Sequence, residues 1–209
     1  LSGSPLGEVL KHNAPAISRS TVLRQLSLEP KKYFLVSTHR AENVDNPQHL
    51  KTILATLQSL HDEYDLPIIV STHPRTRERL ETSKYAGTHA QVQFLKPFGF
   101  HDYIHLQQQA LCTLSDSGTI SEEAAILDFP AVTMRNAMER PEAMDTGDIV
   151  LTGIDHDVIL RAVRLAINEP RPEKHRIPVE YEVTDTSLRV LKLICGTARL
   201  SHLWDGIAK

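Results

Sequence analysis

Short aliphatic or β-branched runs alternate with longer amphipathic segments along most of this chain. Parallel strands need a crossover connection, usually a helix, so this alternation predicts a parallel sheet with helices packed on its faces. The runs expected to be strands are Tyr33–Thr38, Pro67–Thr72, Val92–Leu95, Leu111–Ser115, Ala131–Met134 and Ile149–Thr152. The helices expected between and after them are Pro47–Tyr64, Arg75–Ser83, Phe100–Ala110, Ile120–Leu127, Arg140–Thr146 and Asp155–Asn168. The predicted fold class is therefore α/β.

The last part of the chain predicts a helical closure of the domain. Pro170 and Pro172 break the preceding amphipathic helix, and closing helices are expected at Asp185–Gly196 and Ala198–Trp204, within 183–206. With 209 residues, the chain is long enough for one α/β domain with a substantial core. We therefore expect residues 1–209 to form a single domain.

The composition favours a cytoplasmic protein that binds neither nucleic acid nor a membrane. The formal net charge is −3, which provides no basic footprint for nucleic acid. No apolar run reaches the ~20 residues that a membrane-spanning helix needs. Cys112 and Cys195 lie in apolar contexts without a Cys-x-x-Cys pair, so we expect two buried thiols and neither a disulfide nor a structural zinc site.

Polar or aromatic residues directly follow most of the predicted strands. Ligands of open parallel sheets bind at the carboxyl ends of the strands, so these residues predict a binding site at that edge. They are His39, Arg40, His73, Phe98, Asp116, Ser117 and Arg135.

A small-residue turn connects the fourth predicted strand to its helix. A helix N-terminus presents free N–H groups and the positive end of its dipole, an arrangement that suits a phosphate. In the turn, Ser117 and Thr119 add hydroxyl groups, and Gly118 lets an anion approach the backbone. The alternative interpretation is a Ser/Thr-capped helix with no ligand.

Charged residues close to this turn predict contacts with sugar hydroxyls and with negative charge. Glu123 offers paired acceptors for both ribose hydroxyls, whereas its neighbour Glu122 points elsewhere and is expected to support the loop that carries Arg135 or Arg140. Arg140 supplies a fixed positive charge. The alternative is a surface salt bridge.

Two parts of the sequence resemble a known enzyme family. Asp116-Ser-Gly-Thr-Ile-Ser-Glu-Glu123 with Arg135-Asn-Ala-Met-Glu-Arg-Pro-Glu142 resembles the "DSGG-x-x-EE … R-x-x-x-ERPE" pattern of the non-hydrolysing UDP-N-acetylglucosamine 2-epimerases. Thr38-His-Arg-Ala-Glu-Asn43 resembles the "HR-x-EN" segment of that family. Thr119 replaces the second glycine, which is closer to the branch that forms UDP-N-acetyl-L-fucosamine for capsule and O-antigen synthesis. The resemblance extends from about Ser2 to Trp204.

The resemblance implies a Rossmann-like domain, the C-terminal, UDP-binding half of a two-domain enzyme of the glycosyltransferase-B type. The chain begins at Leu1 without a methionine, so the N-terminal domain, with the carboxylates that move protons, is expected to be absent from it. The implied reaction eliminates UDP from C1 and adds it back with inversion at C2. We expect this chain alone to be inactive, and the full-length enzyme to be a homodimer that uses a UDP-sugar without metal or cofactor.

Roles carried over from the family concern both ends of the nucleotide. His39 matches a histidine that contacts substrate near the reacting sugar, and Arg140 would act with it on the departing diphosphate. Tyr103 matches an aromatic residue that stacks on uracil, and Phe98 a residue whose backbone borders the base. The alternative for Phe98 and Phe100 is a hydrophobic pin for their loop, which we prefer for Phe100.

Other residues near the predicted edge are assigned supporting or regulatory roles. His73 matches a histidine near the interface between the two domains, where some members of the family bind a second, regulatory sugar nucleotide. Arg40 and Glu42 accompany His39, with loop ordering as the alternative for Glu42 and Asn43.

Two functions from other classes remain open at this point. A glycosyltransferase of the same fold would also place a glutamate on ribose and a helix N-terminus on diphosphate. A non-catalytic sugar-nucleotide-binding module would need the same contacts without turnover.

Overall fold

A computed structural model of the protein describes residues 2–82, 91–169, 177–200 and 204. Within these residues a parallel sheet has the strand order β3-β2-β1-β4-β5-β6. Its strands are β1 Phe34–Thr38, β2 Ile68–Thr72, β3 Val92–Leu95, β4 Cys112–Ser115, β5 Ala131–Thr133 and β6 Val150–Leu151. Each predicted strand is present, and their bounds differ from the prediction by at most one residue at either end.

The helices that flank the sheet agree with the prediction from the first strand onwards, and they are preceded by two that were missed. Their bounds are α1 Leu6–Ser18, α2 Val22–Gln25, α3 Ala41–Val44, α4 Pro47–Tyr64, α5 Pro74–Thr82, α6 Phe100–Gln109, α7 Ile120–Leu127, α8 Glu142–Asp145, α9 His156–Asn168 and α10 Thr186–Thr197. The short α3 was also missed. Most of the predicted helix Ala198–Trp204 lies outside the described residues.

Local sequence sets both ends of the long helix α4. The Asn46 side chain accepts hydrogen bonds from the amides of Gln48 and His49, and Pro47 occupies the first turn, where its missing N–H costs nothing. The helix ends at Asp65, which adopts the left-handed conformation with φ 52°. The predicted helix Arg140–Thr146 is shorter than expected because Pro141 serves as the N-cap of α8.

Both faces of the central strand are covered, which is typical of parallel sheets. Phe34 and Val36 pack with α4 and α9 on one face, where Leu57 and Ile159 belong to the same apolar cluster. On the other face, Leu35 belongs to a cluster with residues of α2 and α6. The sheet therefore lies between two layers of helices, as the alternating sequence predicts.

The order of the strands reverses next to β1, which pairs with β2 on one side and with β4 on the other. At such a switch point, the loops leaving neighbouring strands turn to opposite sides and open a crevice at the carboxyl edge. The loops concerned begin at His39 and Asp116. The fold thus places two motifs that are distant in sequence on either side of one crevice.

The C-terminal helix α10 contacts the start of the chain but exposes much of its apolar surface. The Thr186 hydroxyl donates to the carbonyls of Ser2 and Ser4. Leu193 and Ile194 are 60% and 57% exposed. Cys195 on the same helix is exposed, so the prediction of two buried thiols is wrong for this residue and holds only for Cys112.

Candidate functional site

Asp116, the first residue after β4, is fully buried and connects the two sides of the crevice. Its carboxylate accepts hydrogen bonds from the Thr38 hydroxyl at 2.8 Å and from the backbone amides of His39 and Arg40 at 3.0–3.1 Å. The Asn43 side-chain amide donates to it at 3.0 Å. This network fixes the loop after β1 to the end of β4, across 73–78 residues of sequence.

Asp116 also holds the imidazole of His39. The distance from His39 Nδ1 to Asp116 Oδ1 is 3.1 Å. This hydrogen bond raises the pKa of His39 above its usual value, although partial burial opposes the shift. Burial alone would raise the pKa of Asp116, but the hydrogen bonds from His39, the Arg40 amide and Thr38 outweigh it, so this pKa is lowered. The arrangement favours a protonated His39 beside an ionised Asp116, with 45% of the histidine side chain exposed to the crevice.

The turn after Asp116 keeps its hydroxyl groups together. The oxygens Ser117 Oγ and Thr119 Oγ1 are 2.9 Å apart, and Ser117 Oγ accepts from the amide of Thr119 at 3.3 Å. Thr119 is the N-cap of α7 but makes no side-chain capping bond. The alternative of a helix capped by a Thr side chain is therefore wrong for this residue. The first N–H groups of a helix have no partner within it, so they are directed at this turn.

Three charged side chains gather over Gly118. A Cβ atom at this position would lie 2.6 Å from Arg140 Nη1, 3.1 Å from Glu139 Oε2 and 3.7 Å from Arg40 Nη2. Only a residue without a side chain leaves these groups in place. The turn therefore brings two guanidinium groups and one carboxylate to a single point on the backbone.

Glu122 holds Arg140 in position through an ion pair. Its Oε1 forms an ion pair with Arg140 Nε at 2.6 Å, and its Oε2 accepts a hydrogen bond from the Ser4 hydroxyl at 2.6 Å. Only 9% of the Glu122 side chain is exposed, compared with 38% for Arg140. This is the supporting contact expected of Glu122, made to Arg140 rather than to Arg135.

Arg135 lies inside the protein beside the same group. It is 4% exposed and donates from Nη2 to Glu139 Oε1 at 2.7 Å. Its Nε and Nη1 atoms have no hydrogen-bond partner among the described residues. Glu139 also pairs with Arg40 Nη2 at 3.1 Å, and its pKa is lowered chiefly by the hydrogen bond from Arg135.

Glu123 faces the other direction, into the space between α6 and α7. It is 7% exposed, and its Oε2 accepts a hydrogen bond from Gln107 Nε2 at 2.6 Å. Burial raises the pKa of this carboxyl above its usual value. The expected ribose-binding residue is thus a buried acceptor that interacts with the Gln107 amide and the Thr119 side chain.

The three aromatic residues at the start of α6 and in the loop before it differ in burial. Tyr103 and Phe98 are partly buried and pack against the apolar cluster around Leu35 and Leu106. Burial raises the pKa of Tyr103, whose hydroxyl interacts with the end of β4 at Ser115. By contrast, Phe100 is 40% exposed. The prediction that Phe100 anchors its loop by hydrophobic packing is therefore wrong. Phe98 fits that role better, because it packs against the apolar cluster.

His73 and Glu42 lie at the periphery of the site. The centroids of the His73 and His39 rings are 6.4 Å apart. His73 Nδ1 accepts from the amide of Arg75, and Arg75 forms an ion pair with Asp45. Glu42 is exposed on α3, next to the buried Asn43. Asn43 has the loop-ordering role that was an alternative for both residues.

His101 and His105 have a four-residue spacing on α6, which resembles the spacing of paired histidine ligands on a helix. His101 Nε2 is hydrogen-bonded to Asn13 Oδ1 at 2.8 Å. No group of three or more His, Cys, Asp or Glu side chains in the described ranges could hold a metal ion. Within the same ranges, no helix has the length and hydropathy needed to span a bilayer.

Comparison with known sequences assigns the chain to a family. A sequence model of that family, described as UDP-N-acetylglucosamine 2-epimerase, matches residues 1–195. The chain belongs to this family. The UDP-N-acetylglucosamine 2-epimerase of Methanocaldococcus jannaschii is 36% identical over 146 residues, which cover 68% of this chain and 40% of that protein.

Solved structures of 2-epimerases share the fold. The UDP-N-acetylglucosamine 2-epimerase from Rickettsia bellii is 41% identical with a TM-score of 0.83, and the match covers 93% of this chain and 52% of that one. A Methanocaldococcus jannaschii UDP-GlcNAc 2-epimerase in complex with UDP-GlcNAc and UDP is 28% identical, also with a TM-score of 0.83, covering 94% and 54%. The chain thus spans about half the length of these epimerases. The prediction of a Rossmann-like α/β fold related to the glycosyltransferase-B type is confirmed.

Two residues are central to this site although the sequence assigned them no role: Asp116, which was expected only to lie at this edge, and Glu139, which was not singled out. Both lie inside the motifs that resemble the epimerase family. A signal was available for Asp116, because a carboxylate directly after a buried parallel strand faces the free amides of the neighbouring loop. No comparable signal existed for Glu139, whose contacts depend on where Arg40 and Arg135 meet.

Proposed function

We propose that this chain is the UDP-binding part of a UDP-N-acetylhexosamine 2-epimerase. The observation that carries the proposal is the convergence of Arg40 and Arg140 on the backbone of Gly118, at the switch point of the sheet. Membership in the epimerase family and the UDP complex of a relative with the same fold support it.

The diphosphate would bind at the turn that carries Ser117, Gly118 and Thr119. Arg140 would contribute charge and a fork of N–H donors, and Glu122 would keep its orientation. The free amides at the start of α7 add preorganised donors. Such donors stabilise the charge that develops on UDP as its bond to C1 breaks.

The nucleoside would extend towards α6. Glu123 would accept hydrogen bonds from the ribose hydroxyls, because a carboxylate has more acceptor sites than the one that Gln107 uses. Phe98 and Tyr103 would border uracil. Their packing against the apolar cluster around Leu35 and Leu106 suits a rigid wall of the base site.

In the reaction we propose, UDP leaves C1 while a base removes the C2 proton, which produces a glycal. A proton then returns to the opposite face of C2, and UDP adds back to C1. His39, held by Asp116, would contact the β-phosphate near C1 and stabilise its negative charge. The carboxylates that move protons would belong to an N-terminal domain outside this chain.

Several finer predictions belong to this proposal. The substrate pair would be UDP-GlcNAc and UDP-ManNAc, or the L-talosamine and L-fucosamine pair favoured by Thr119. A homodimer, a cytoplasmic location and a role in polysaccharide synthesis accompany the family resemblance. The isolated chain would bind UDP weakly without turnover.

The test is an assay of the full-length protein with UDP-N-acetylhexosamines, with and without a sugar acceptor. Formation of the C2 epimer without acceptor is the expected result, and it should persist after exhaustive EDTA treatment. Transfer to the acceptor would instead identify a glycosyltransferase. Tight UDP-sugar binding without turnover would identify a binding module.

A further inference from the structure

The carboxylate of Glu139 lies over Gly118, in the turn where the proposed phosphate would bind. Its Oε2 lies 3.1 Å from the position of a Cβ atom on Gly118, close to Arg40 Nη2 and beside Arg140 Nη1. Its other oxygen, Oε1, accepts from Arg135 Nη2 at 2.7 Å and pairs with Arg40 Nη2 at 3.1 Å. A carboxylate therefore already pairs with Arg40, one of the two arginines that would meet a diphosphate, whereas Arg140 is paired with Glu122.

The two carboxylates of this cluster are held differently. Glu122 is buried and is tied to Ser4 as well as to Arg140, so it cannot leave without exposing unpaired buried groups. Glu139 has 52% of its side chain exposed, and its Oε2 can move away from Gly118 and Arg40 while Oε1 keeps its hydrogen bond with Arg135. Only the second carboxylate is placed to give way to an incoming ligand.

We propose that Glu139 is a displaceable counter-ion of Arg40 that occupies the space over Gly118, near Arg140, until a phosphate group replaces it. This inference rests on the proposed function, because it takes the Gly118 turn as the diphosphate site. A phosphate oxygen over Gly118 would repel a carboxylate a few ångströms away, since like charges at that distance interact unfavourably. Glu139 would then leave Arg40 and keep its contact with the buried Arg135.

The contact with Arg135 dictates which substitution tests the idea. Two donors of Arg135 have no hydrogen-bond partner among the described residues, so removing the whole Glu139 side chain would also take away the acceptor of its third. Glu139→Gln retains one oxygen that can accept from Arg135 Nη2, while it removes the negative charge and replaces the other oxygen with an NH₂ group. Glu139→Ala provides the comparison, with a lower melting temperature expected.

The decisive measurement is the affinity of the full-length protein for UDP, pyrophosphate and uridine, at low and high salt. Glu139→Gln should bind UDP and pyrophosphate several-fold more tightly than the parent at low salt, with a smaller gain at high salt because the site is exposed. Uridine, which has no phosphate, should bind both proteins equally. Glu29→Gln is the matched control, because it removes one charge from a surface pair with Lys32.

The outcomes separate this inference from the proposed function. Weaker or unchanged binding of UDP by Glu139→Gln, with parental melting temperature, would mean that Glu139 orders the arginines and does not compete with phosphate. An equal gain in Glu29→Gln would reduce the effect to net charge and overturn the inference. If the parent protein does not bind UDP, or if Arg140→Ala leaves its affinity unchanged, the phosphate site itself is wrong and the inference fails with it.

Discussion

At the scale of single residues, the structure of the site depends most on Asp116, whose buried carboxylate accepts several hydrogen bonds. Asparagine at this position would have one acceptor oxygen and would present an NH₂ group to amides that also donate. Asp116→Asn should therefore lower the free energy of unfolding by about 2–4 kcal/mol. Urea denaturation measures this loss, and Asp62→Asn on the surface of α4 provides the control. Equal stability of the two variants would show that the network around Asp116 contributes little.

Glu123 should make the affinity for UDP depend on pH. Its pKa is raised by burial, and the ionised form is the better acceptor for ribose hydroxyls. Affinity should therefore be highest above the raised pKa and fall as the pH decreases through it, at a higher pH than for an ordinary glutamate. Calorimetric titration of UDP over this range should show the decline in the parent.

Glu123→Gln provides the comparison for that titration, because glutamine does not ionise. The variant should bind UDP more weakly by roughly 1–3 kcal/mol, the scale of a hydrogen bond to a charged group. It should also lose the part of the pH dependence that the parent shows in mild acid. Parallel pH profiles for parent and variant would assign the titration to another group.

At the scale of elements, the turn between β4 and α7 depends on the absence of a side chain. In Gly118→Ala the new methyl group would displace Arg140 and Glu139, which are the ends of flexible side chains, so stability should change by less than about 1 kcal/mol. UDP affinity should fall about tenfold because the arginine and the backbone no longer meet one phosphate.

Gly196→Ala is the matched control for this substitution. Gly196 lies in α10 with no heavy atom within 4 Å of an added Cβ, so alanine should preserve UDP binding and slightly stabilise the helix. A similar loss of UDP affinity in both variants would indicate a general effect of the substitution.

The sequence predicts these elements well where burial alone determines them. β1 is buried on both faces and therefore begins with a continuous apolar run, Phe34–Val36. Helix α1 was missed because Pro15 lies within it, although a proline is normally a sign that a helix ends. The outward orientation of Leu193 and Cys195 could not be predicted, because an amphipathic pattern identifies an apolar face and not what covers it.

The candidate site could be predicted only in part. Residues after strands were placed at the carboxyl edge, because that follows from the parallel topology. Contacts such as those of Asp116 with His39 and of Glu139 with Arg135 depend on strand order and side-chain packing, which sequence spacing does not specify. For the same reason, the sequence did not predict the 40% exposure of Phe100, which was expected to anchor its loop.

At the scale of the whole molecule, turnover tests what the chain contributes to a complete enzyme. His39→Ala and Arg140→Ala in the full-length protein should lower kcat by about 10²-fold or more, because both would act on charge that develops in the transition state. UDP affinity should fall much less for His39→Ala. Steady-state kinetics and UDP calorimetry measure the two effects separately.

Thermal unfolding is the control for those variants. A catalytic role predicts melting temperatures close to the parent value. A loss of stability that matches the loss of activity would favour purely structural roles, with His39 anchoring Asp116 and Arg140 paired to Glu122.

The pairing of β1 with β4 also has a consequence for the order of events during folding. The hydrogen-bond partners of Asp116 lie 73 to 78 positions earlier in the chain. The turn that carries Gly118 and the loop that carries His39 therefore meet only after this long segment has folded back. Contacts between such distant residues form slowly, because the entropy of loop closure is lost before the contacts compensate for it. During synthesis, the capacity to bind a nucleotide should therefore emerge late, when most of this domain has left the ribosome.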